Sequence, residues 1–194
     1  MFDVFRKYLA DKITLTDQEF VLFESVMVFK RLRKRQYFLQ EGDVCHSSAF
    51  VCKGLLRYYH VDNKGQEYIM QFAPENYWTS DRKSMTSGMP SKYNIAAIED
   101  SEIFLLKKED FEMLRKTIPA FNDFVTETLK KNVMVLQERI HVSISLSAEE
   151  KYYNFTSKYP AINNRVPLHM VASYLGVSAE TLSRVRSQSF KKVI

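Results

Sequence analysis

The 194-residue sequence is poor in cysteine: it contains only Cys45 and Cys52, with no second pair. A disulfide-stapled scaffold and a four-cysteine zinc or iron–sulfur site are thereby excluded, because each needs more thiols. Histidines are also few, and no two of them form a His-x-His pair: His46, His60, His141 and His169. We therefore expect two free, buried thiols, an intracellular protein and no metal site.

Long apolar runs are absent as well. No run approaches the ~20 residues that span a bilayer, and the first residues, MFDVFRKYLADK, lack the apolar core of a signal peptide. The sequence also lacks a Gly-x-Ser-x-Gly motif, a phosphate-binding glycine loop and a pair of catalytic carboxylates. We therefore predict a cytoplasmic protein that is not an enzyme, has no membrane partner and needs no cofactor.

The composition is that of a folded globular protein, since 45% of the residues are hydrophobic and 13% are aromatic. The net charge of +5 is unevenly distributed, because residues 120–194 carry 10 Lys and Arg against 6 Asp and Glu. The basic excess lies on the side of the chain where phosphate neutralisation would be needed if that side binds nucleic acid. A merely soluble basic surface would show the same balance, so the charge is supporting evidence only.

The most informative stretch is 167–188, PLHMVASYLGVSAETLSRVRSQ, which predicts two short helices joined by a tight turn. Apolar residues at spacings of three and four form one stripe on the first helix. Gly176 then permits a left-handed turn, and Ser178 is placed to cap the second helix. Leu182 and Val185 continue the buried stripe. The opposite face of the second helix is polar: Glu180, Thr181, Ser183, Arg184 and Ser187.

This arrangement is typical of a helix-turn-helix whose second helix enters the DNA major groove. An ordinary helical hairpin with a solvated face is the alternative. We favour DNA binding because a small residue, Ala172, the glycine four positions later and the buried positions beyond it occur together.

Residues 36–107 change to a period of two, with six strand-like runs separated by turn signals. We predict strands over 37–40, 49–52, 55–61, 67–73, 93–98 and 103–107. In the fourth run, Tyr68, Met70 and Phe72 are predicted to share a face. Such spacing indicates an antiparallel sandwich or jelly roll. The basic run 30–35 before it is interpreted as a solvated face or loop.

Helices are predicted on both sides of this β region, over 2–9, 16–28, 109–117 and from 147 to about 159. A longer helix is predicted over 121–145, with apolar residues near a heptad spacing. It could simply cover the sheet or pair with its copy in a second subunit. We favour dimerisation because the stripe is longer than a small sheet requires: Phe121, Val125, Leu129, Val133, Leu136 and Ile140.

The order of these parts resembles the Crp–Fnr family of bacterial transcription regulators. The similarity is carried by KGLLR at 53–57, DNKG at 62–65, AAIEDSEIFLLKKEDFEML at 96–114 and VASYLGVSAETLSRVR at 171–186. The phrase at 167–186 looks like members from the Bacteroidetes lineage. The resemblance implies an α+β protein whose N-terminal antiparallel β-roll or jelly roll, with flanking helices, is followed by a long dimerisation helix and a C-terminal winged helix-turn-helix. The corresponding ranges are 1–118, a cyclic-nucleotide-binding-like effector domain, then 119–146 and 147–194.

The resemblance also implies roles for the second helix of the helix-turn-helix. Glu180 and Arg184 match positions that contact bases and phosphates, and both side chains have base-reading chemistry. The position before Glu180 is often Arg in the family and is Ala179 here, which leaves the target sequence open. The other polar residues are read as phosphate contacts or as part of the exposed face: Ser178, Thr181, Ser183, Arg186 and Ser187.

The effector pocket departs from the family pattern. Members that bind cyclic AMP carry Gly-Glu for the ribose and Arg-Ser or Arg-Thr for the phosphate, whereas the matching stretches here are Trp78-Thr79-Ser80-Asp81 and Pro90-Ser91-Lys92-Tyr93. Lys92 alone replaces a bidentate guanidinium poorly, so loss of cyclic-AMP binding is predicted. The degenerate pocket would consist of Thr79, Ser80, Ser91, Lys92 and Tyr93.

Three hypotheses follow. The first is a homodimeric, sequence-specific regulator that binds a pseudo-palindromic operator in double-stranded DNA, with RNA polymerase as a further partner. The second is a cupin-like, metal-dependent β-barrel enzyme, which the missing His-x-His pair disfavours. The third is a sensor that responds to a non-nucleotide small-molecule effector by changing its DNA binding.

Overall fold

The computed structural model describes residues 2–191, with side chains described through residue 188. Two helices precede the β region, α1 (Phe2–Ala10) and α2 (Asp17–Val26). The strands are β1 (Met27–Leu32), β2 (Tyr37–Leu39), β3 (Ser47–Lys53), β4 (Leu56–Val61), β5 (Glu67–Ala73), β6 (Trp78–Thr79), β7 (Asn94–Ala97) and β8 (Ser101–Lys107), with α3 (Arg82–Ser87) between β6 and β7. The remaining helices are α4 (Lys108–Thr117), α5 (Pro119–Ser145), α6 (Ala148–Lys158), α7 (Pro160–Asn163), α8 (Leu168–Leu175) and α9 (Ala179–Lys191).

The strands form two four-stranded antiparallel sheets, ordered β1-β8-β3-β6 and β2-β7-β4-β5. Alternate apolar side chains from both sheets meet in a common core, which includes Val51, Leu56, Ile95 and Ile103. The architecture is therefore the predicted α+β arrangement with an antiparallel β-roll. No described helix is long and apolar enough to cross a lipid bilayer.

The basic run 30–35 was interpreted as a solvated face or loop, and its charged side chains are exposed as expected, but its first half lies in the edge strand β1, which was not predicted. Met27 and Leu32 are buried at the two ends, while the four residues between them are exposed. An edge strand with exposed charges gives no period-two signal, and those charges discourage pairing with another chain. Two further short elements, β6 and α3, were also not predicted. Asp81 caps α3 by accepting a hydrogen bond from the Ser84 N–H at 3.1 Å.

A β-bulge in β5 overturns the predicted alternation of this strand. Tyr58 pairs with Gln71 and Tyr59 pairs with Ile69, so Met70 has no partner of its own. Because the extra residue reverses the alternation, Tyr68 and Met70 are exposed whereas Phe72 is buried. These three residues do not share one face.

The N-terminal helices cover one sheet through an aromatic cluster. Phe5 contacts Phe23 and Phe50, and Phe23 meets Phe121 of α5 edge-to-face at 4.9 Å between ring centroids. The α2 helix begins with a capping box, in which the Thr16 hydroxyl accepts from the Glu19 N–H and the Glu19 carboxylate accepts from the Thr16 N–H. The first part of α5 is therefore built into this core.

The helices after α5 pack against the other sheet. Their shared core joins Phe72 and Ile69 of β5 to Phe155 of α6, Val171 of α8 and Leu182 of α9. The Ser173 hydroxyl of α8 donates to the Glu67 carbonyl oxygen at 2.7 Å and accepts from the Ile69 N–H at 3.0 Å. A wing after α9 was part of the predicted fold, and it lies outside the described residues.

Candidate nucleic-acid interface and effector region

The turn between α8 and α9 has the geometry that the sequence predicts. Gly176 has φ +67°, and its N–H donates to the carbonyl oxygens of Ala172 and Ser173. The Val177 N–H also returns to the Ala172 carbonyl, at 3.0 Å. A left-handed residue is the usual end of such a helix, and a side chain at this φ would be strained. The glycine therefore fixes the direction in which α9 leaves the turn.

Ser178 caps α9, as predicted. Its hydroxyl oxygen accepts a hydrogen bond from the Thr181 N–H at 3.1 Å and lies 3.1 Å from the Thr181 hydroxyl. A hydrogen bond from the backbone N–H of Glu180 and one from the Ser178 hydroxyl hold the pKa of the Glu180 carboxyl below its ordinary value. Glu180 is therefore ionised at neutral pH and presents an acceptor at the start of the helix.

The α9 helix is anchored by one face and open on the other. Leu182 is completely buried and Val185 nearly so, both within the core shared with α6 and α8. The candidate DNA-contacting side chains Ser178, Glu180, Ser183, Arg184, Arg186 and Ser187 are exposed, and Thr181 is half-buried. No carboxylate of the described residues lies within 4.0 Å of the guanidinium of Arg184 or Arg186.

The exposed residues do not all point the same way. At ~100° per residue, Ser183, Arg184 and Ser187 project within about 60° of Glu180, whereas Arg186 lies about 120° away on the flank. The Ser187 hydroxyl also bonds back to the Ser183 carbonyl at 3.0 Å. The central face therefore combines one carboxylate and one guanidinium that pairs with no carboxylate of the described residues, and Arg186 occupies its edge.

One of the predicted effector residues, Ser91, contacts a buried carboxylate that sequence reasoning did not single out. Asp81 is buried, and it accepts from the Ser84 N–H at 3.1 Å and from the Ser91 hydroxyl at 2.7 Å. The Ser91 oxygen also accepts from the Tyr93 N–H at 3.0 Å. The Ser91 hydroxyl and the Ser84 N–H are thus already engaged by the Asp81 side chain.

The other four predicted pocket residues differ in their exposure and in their contacts. Thr79 is buried with its hydroxyl unpartnered among the described residues, and Ser80 is half-buried. Lys92 is exposed, and its carbonyl oxygen lies 3.0 Å from His60 Nδ1. The Tyr93 ring packs on Tyr58 with centroids 4.8 Å apart. Lys92 is the single cationic residue of the predicted pocket, and it is exposed.

The apolar stripe of α5 divides into two parts, and this corrects its assignment as one dimer seam. Phe121 and Val125 are buried within the protomer's own core, and Leu129 packs half-buried at its margin. Val133, Leu136 and Ile140 are 54%, 55% and 61% exposed, and Ile144, which the predicted seam did not include, is 79% exposed. The first turns of α5 therefore cover the β-roll, and the later turns present an apolar surface.

The cysteines are buried free thiols. Burial raises the pKa of Cys52 to about 11 and also raises the pKa of Cys45, so both are protonated at neutral pH. Within the described part of the chain, no three His, Cys, Asp or Glu side chains converge as they would around a metal ion.

The structure thus combines an antiparallel β-roll, a long connecting helix and a helix-turn-helix whose second helix has an open polar face. Residues 29–117 match the cyclic nucleotide-binding domain family. The chain is 25% identical over 186 residues to the regulatory protein HlyX of Actinobacillus pleuropneumoniae, with 89% of this chain and 76% of the relative covered. Nearly the whole chain is thus similar in sequence to a regulatory protein, and its β region is similar to the cyclic nucleotide-binding domain family.

Solved structures share the fold. FixK2 from Bradyrhizobium japonicum superposes with a TM-score of 0.76 at 18% identity, covering 87% of each chain. A protein from Eubacterium rectale described as a transcriptional regulator of the Crp/Fnr family gives 0.68 at 16% identity, covering 91% of this chain and 85% of that one. The predicted fold class is confirmed, and the similarity to a regulatory protein agrees with the resemblance that the sequence predicts.

Proposed function

We propose that the protein is a homodimeric, sequence-specific DNA-binding transcription regulator. The observation that carries this proposal is the face of α9 formed by Glu180, Ser183 and Arg184, which is exposed and anchored from behind by Leu182 and Val185. A carboxylate can accept from the cytosine amino group, and a guanidinium can donate to a guanine edge. These two groups would read bases, while the serines and Arg186 contact phosphates.

Binding to genomic DNA fragments tests this proposal. Purified protein is incubated at moderate salt with a fragment pool, and bound and unbound fractions are sequenced. We expect enrichment of a limited set of sites above the electrostatic, sequence-independent background. Uniform recovery of the pool at every salt concentration would contradict the proposal.

The homodimer is proposed to form through the later turns of α5. The exposed side chains Val133, Ile140 and Ile144 recur at spacings of seven and four residues, which is the spacing of a helix-pairing seam. A two-fold pair would present two α9 helices to half-sites about one helical turn apart. A pseudo-palindromic operator follows from this symmetry.

The regulator is proposed not to respond to cyclic AMP. The support is the buried Asp81 carboxylate bonded to Ser91, together with Pro90 where the family's arginine is expected. We expect cyclic AMP at millimolar concentration to leave the melting temperature unchanged. A saturable rise in the melting temperature would contradict this, because a ligand of the folded state stabilises it.

As a transcription regulator, the protein is proposed to act in the cytoplasm, with RNA polymerase as a further partner and a non-nucleotide small molecule as its effector. The cupin-like enzyme has no supporting observation, because the β-roll brings no set of metal-binding side chains together within the described residues.

A further inference from the structure

A groove of about 290 Å³ lies where three parts of the molecule meet. One wall is the later part of α5, the opposite wall is α6 and the end of α8, and the β5 bulge closes one side at Met70. The groove is separate from the degenerate pocket inside the β-roll, since none of the residues of that pocket lines it.

The floor of the groove is apolar and aromatic. Phe155 and Leu175 are buried beneath it, and Tyr174 packs on Phe155 with ring centroids 5.5 Å apart. Burial raises the pKa of the Tyr174 hydroxyl, so that group remains a neutral hydrogen-bonding partner. The floor therefore suits an apolar or aromatic body.

The rim of the groove is cationic. Arg139, Lys151 and Lys158 line it, against the single carboxylate of Glu138 among its described lining residues. Arg139 is fixed in place, because its guanidinium donates to the Met70 carbonyl oxygen at 2.5 Å and lies 4.4 Å from the centroid of the Tyr174 ring.

The two lysines of the rim are available to pair with a bound anion. Within the described part of the chain, no carboxylate lies within 4.0 Å of the ammonium of Lys151 or Lys158. Both lysines project from α6, seven residues and so about two helical turns apart. A negatively charged group bound over this side of the groove would therefore lie between two positive charges.

We propose that this groove binds a small organic anion with an apolar body, of the aryl-carboxylate or medium-chain-carboxylate class. Its volume is at the lower end of the roughly 300–1,000 Å³ of ligand pockets, which suits a ligand of about ten to fifteen non-hydrogen atoms. The apolar body would lie over Phe155 and Leu175, and the carboxylate would lie toward Lys151 and Lys158.

A second copy of the chain is the competing occupant, because Leu136 and Ile140 both line the groove and lie on the exposed stripe of α5. The directions in which the α5 side chains project distinguish a second copy from a small anion as the occupant of the groove. At ~100° per residue, Val133, Ile140 and Ile144 project within about 40° of one another, whereas Arg139 lies about 120° from the middle of that stripe. A paired helix would thus cover the outer edge of the groove and leave its cationic rim open.

The position of the groove gives the anion a role as effector, and this part of the inference rests on the proposed DNA-binding function. A ligand touching α5, α6, α8 and β5 at once favours the arrangement in which these elements lie together as described. It would change DNA affinity by its preference for that arrangement. Binding of the anion is measured without DNA, so its result does not depend on whether the protein binds DNA.

The test is calorimetric titration of the full-length protein with 3-phenylpropionate and octanoate, alongside their neutral counterparts 3-phenylpropanamide and octanol. We expect saturable binding of at least one anion, and binding of its neutral counterpart weakened about tenfold or more. Lys151→Met and Lys158→Met should each weaken the anion about two- to fivefold, the effect of losing one partly exposed ion pair. Lys116→Met, an exposed lysine of α4 outside the groove, is the matched control and should leave binding unchanged.

Three results with these ligands and variants would overturn the inference. The first is that neither anion shows saturable binding up to about 10 mM, a concentration that still detects a weak complex. The second is that an anion and its neutral counterpart bind equally well, and the third is that the two α6 variants bind the anion with the same affinity as the Lys116→Met control. A fourth is an apparent affinity that falls as protein concentration rises, because it would identify a second copy as the occupant of the groove.

Discussion

At the scale of single residues, Arg165 links the C-terminal helices to the β-roll. Its guanidinium donates to both carboxylate oxygens of Glu75, at 2.8 and 2.9 Å, and to Glu99 at 2.5 Å. Glu75 also accepts from the Gly54 N–H at 2.8 Å. Burial alone would raise the pKa of Glu75, but the hydrogen bonds from Arg165 and from the backbone N–H groups of Glu75 and Gly54 hold it below its ordinary value. One side chain thus joins two carboxylates of the β-roll to the segment leading into α8.

Arg165→Met should lower the free energy of unfolding by about 1–2 kcal/mol at pH 7, since it leaves two neighbouring carboxylates without their shared cation while partial exposure screens the loss. Because the folded-state pKa of Glu75 is depressed, its contribution is present above the unfolded-state pKa and is lost as pH falls through the folded-state pKa. Urea titrations should therefore show the difference from the unaltered protein shrinking as the pH falls below about 4.5.

The matched control for this prediction is Arg31→Met, which removes a more exposed contact to Glu102 at 3.4 Å. Its effect should stay within about 0.5 kcal/mol at every pH. A loss for Arg165→Met as small as that of the control, or one that grows on acidification, would show that the cluster does not join the two parts as described.

Arg184 and Arg186 are two residues apart and are predicted to behave differently on DNA. Arg184→Ala should cost about 1–3 kcal/mol and relax preference at one base position of each half-site. Arg186→Ala should weaken all sequences alike and reduce the slope of log affinity against log salt by about 1 per subunit. Fluorescence anisotropy with a series of single-base operator variants separates the two effects, and identical profiles for both variants would contradict the assignment.

At the scale of elements, the sequence was most informative where one face of an element is buried and least informative where tertiary contacts decide. The capping boxes at Thr16 and Ser147 and the Gly176 turn were predictable, because each depends on a few consecutive residues. The β5 bulge was not, since nothing local marks Met70 as the unpaired residue. Strand β1 was missed because its exposed charges hide the strand period.

The division of α5 likewise could not be predicted, because a heptad stripe is the same whether it meets the protomer or a partner. Val133→Glu with Ile144→Glu should abolish the proposed dimer, since a carboxylate at each position would be desolvated in a helix pair. Neither residue lines the groove. Analytical ultracentrifugation measures the association, and DNA affinity for a two-half-site operator should fall with it.

Two control variants accompany this experiment. Val28→Glu on β1 alters a valine that is exposed to the same 54% as Val133 and should leave association unchanged. Phe121→Ala should instead lower the free energy of unfolding by about 3–5 kcal/mol, because Phe121 is a core residue of the protomer. A double glutamate variant that still sediments as a dimer would place the interface elsewhere.

At the scale of the whole molecule, the order of parts was predictable and their docking was not. A segment with a period of two and a segment with helical periodicity, joined by a long helix, imply a β domain, a connector and a helical domain. Nothing in the sequence shows that Ser173 bonds to the β5 backbone or that Arg165 reaches Glu75. The buried Asp81 was likewise passed over, because an acidic residue in a loop becomes meaningful only when Ser84 and Ser91 are seen around it.

The central claim is that the exposed face of α9 reads DNA as one half of a symmetric pair. Selection of bound duplexes from a random pool by the full-length protein tests it most directly. We expect a motif of two inverted half-sites whose centres are about 10 base pairs apart, and we expect Arg184→Ala to lose information at one position in each half-site. Recovery of no motif, or of a single asymmetric half-site that Arg184→Ala leaves unchanged, would contradict it.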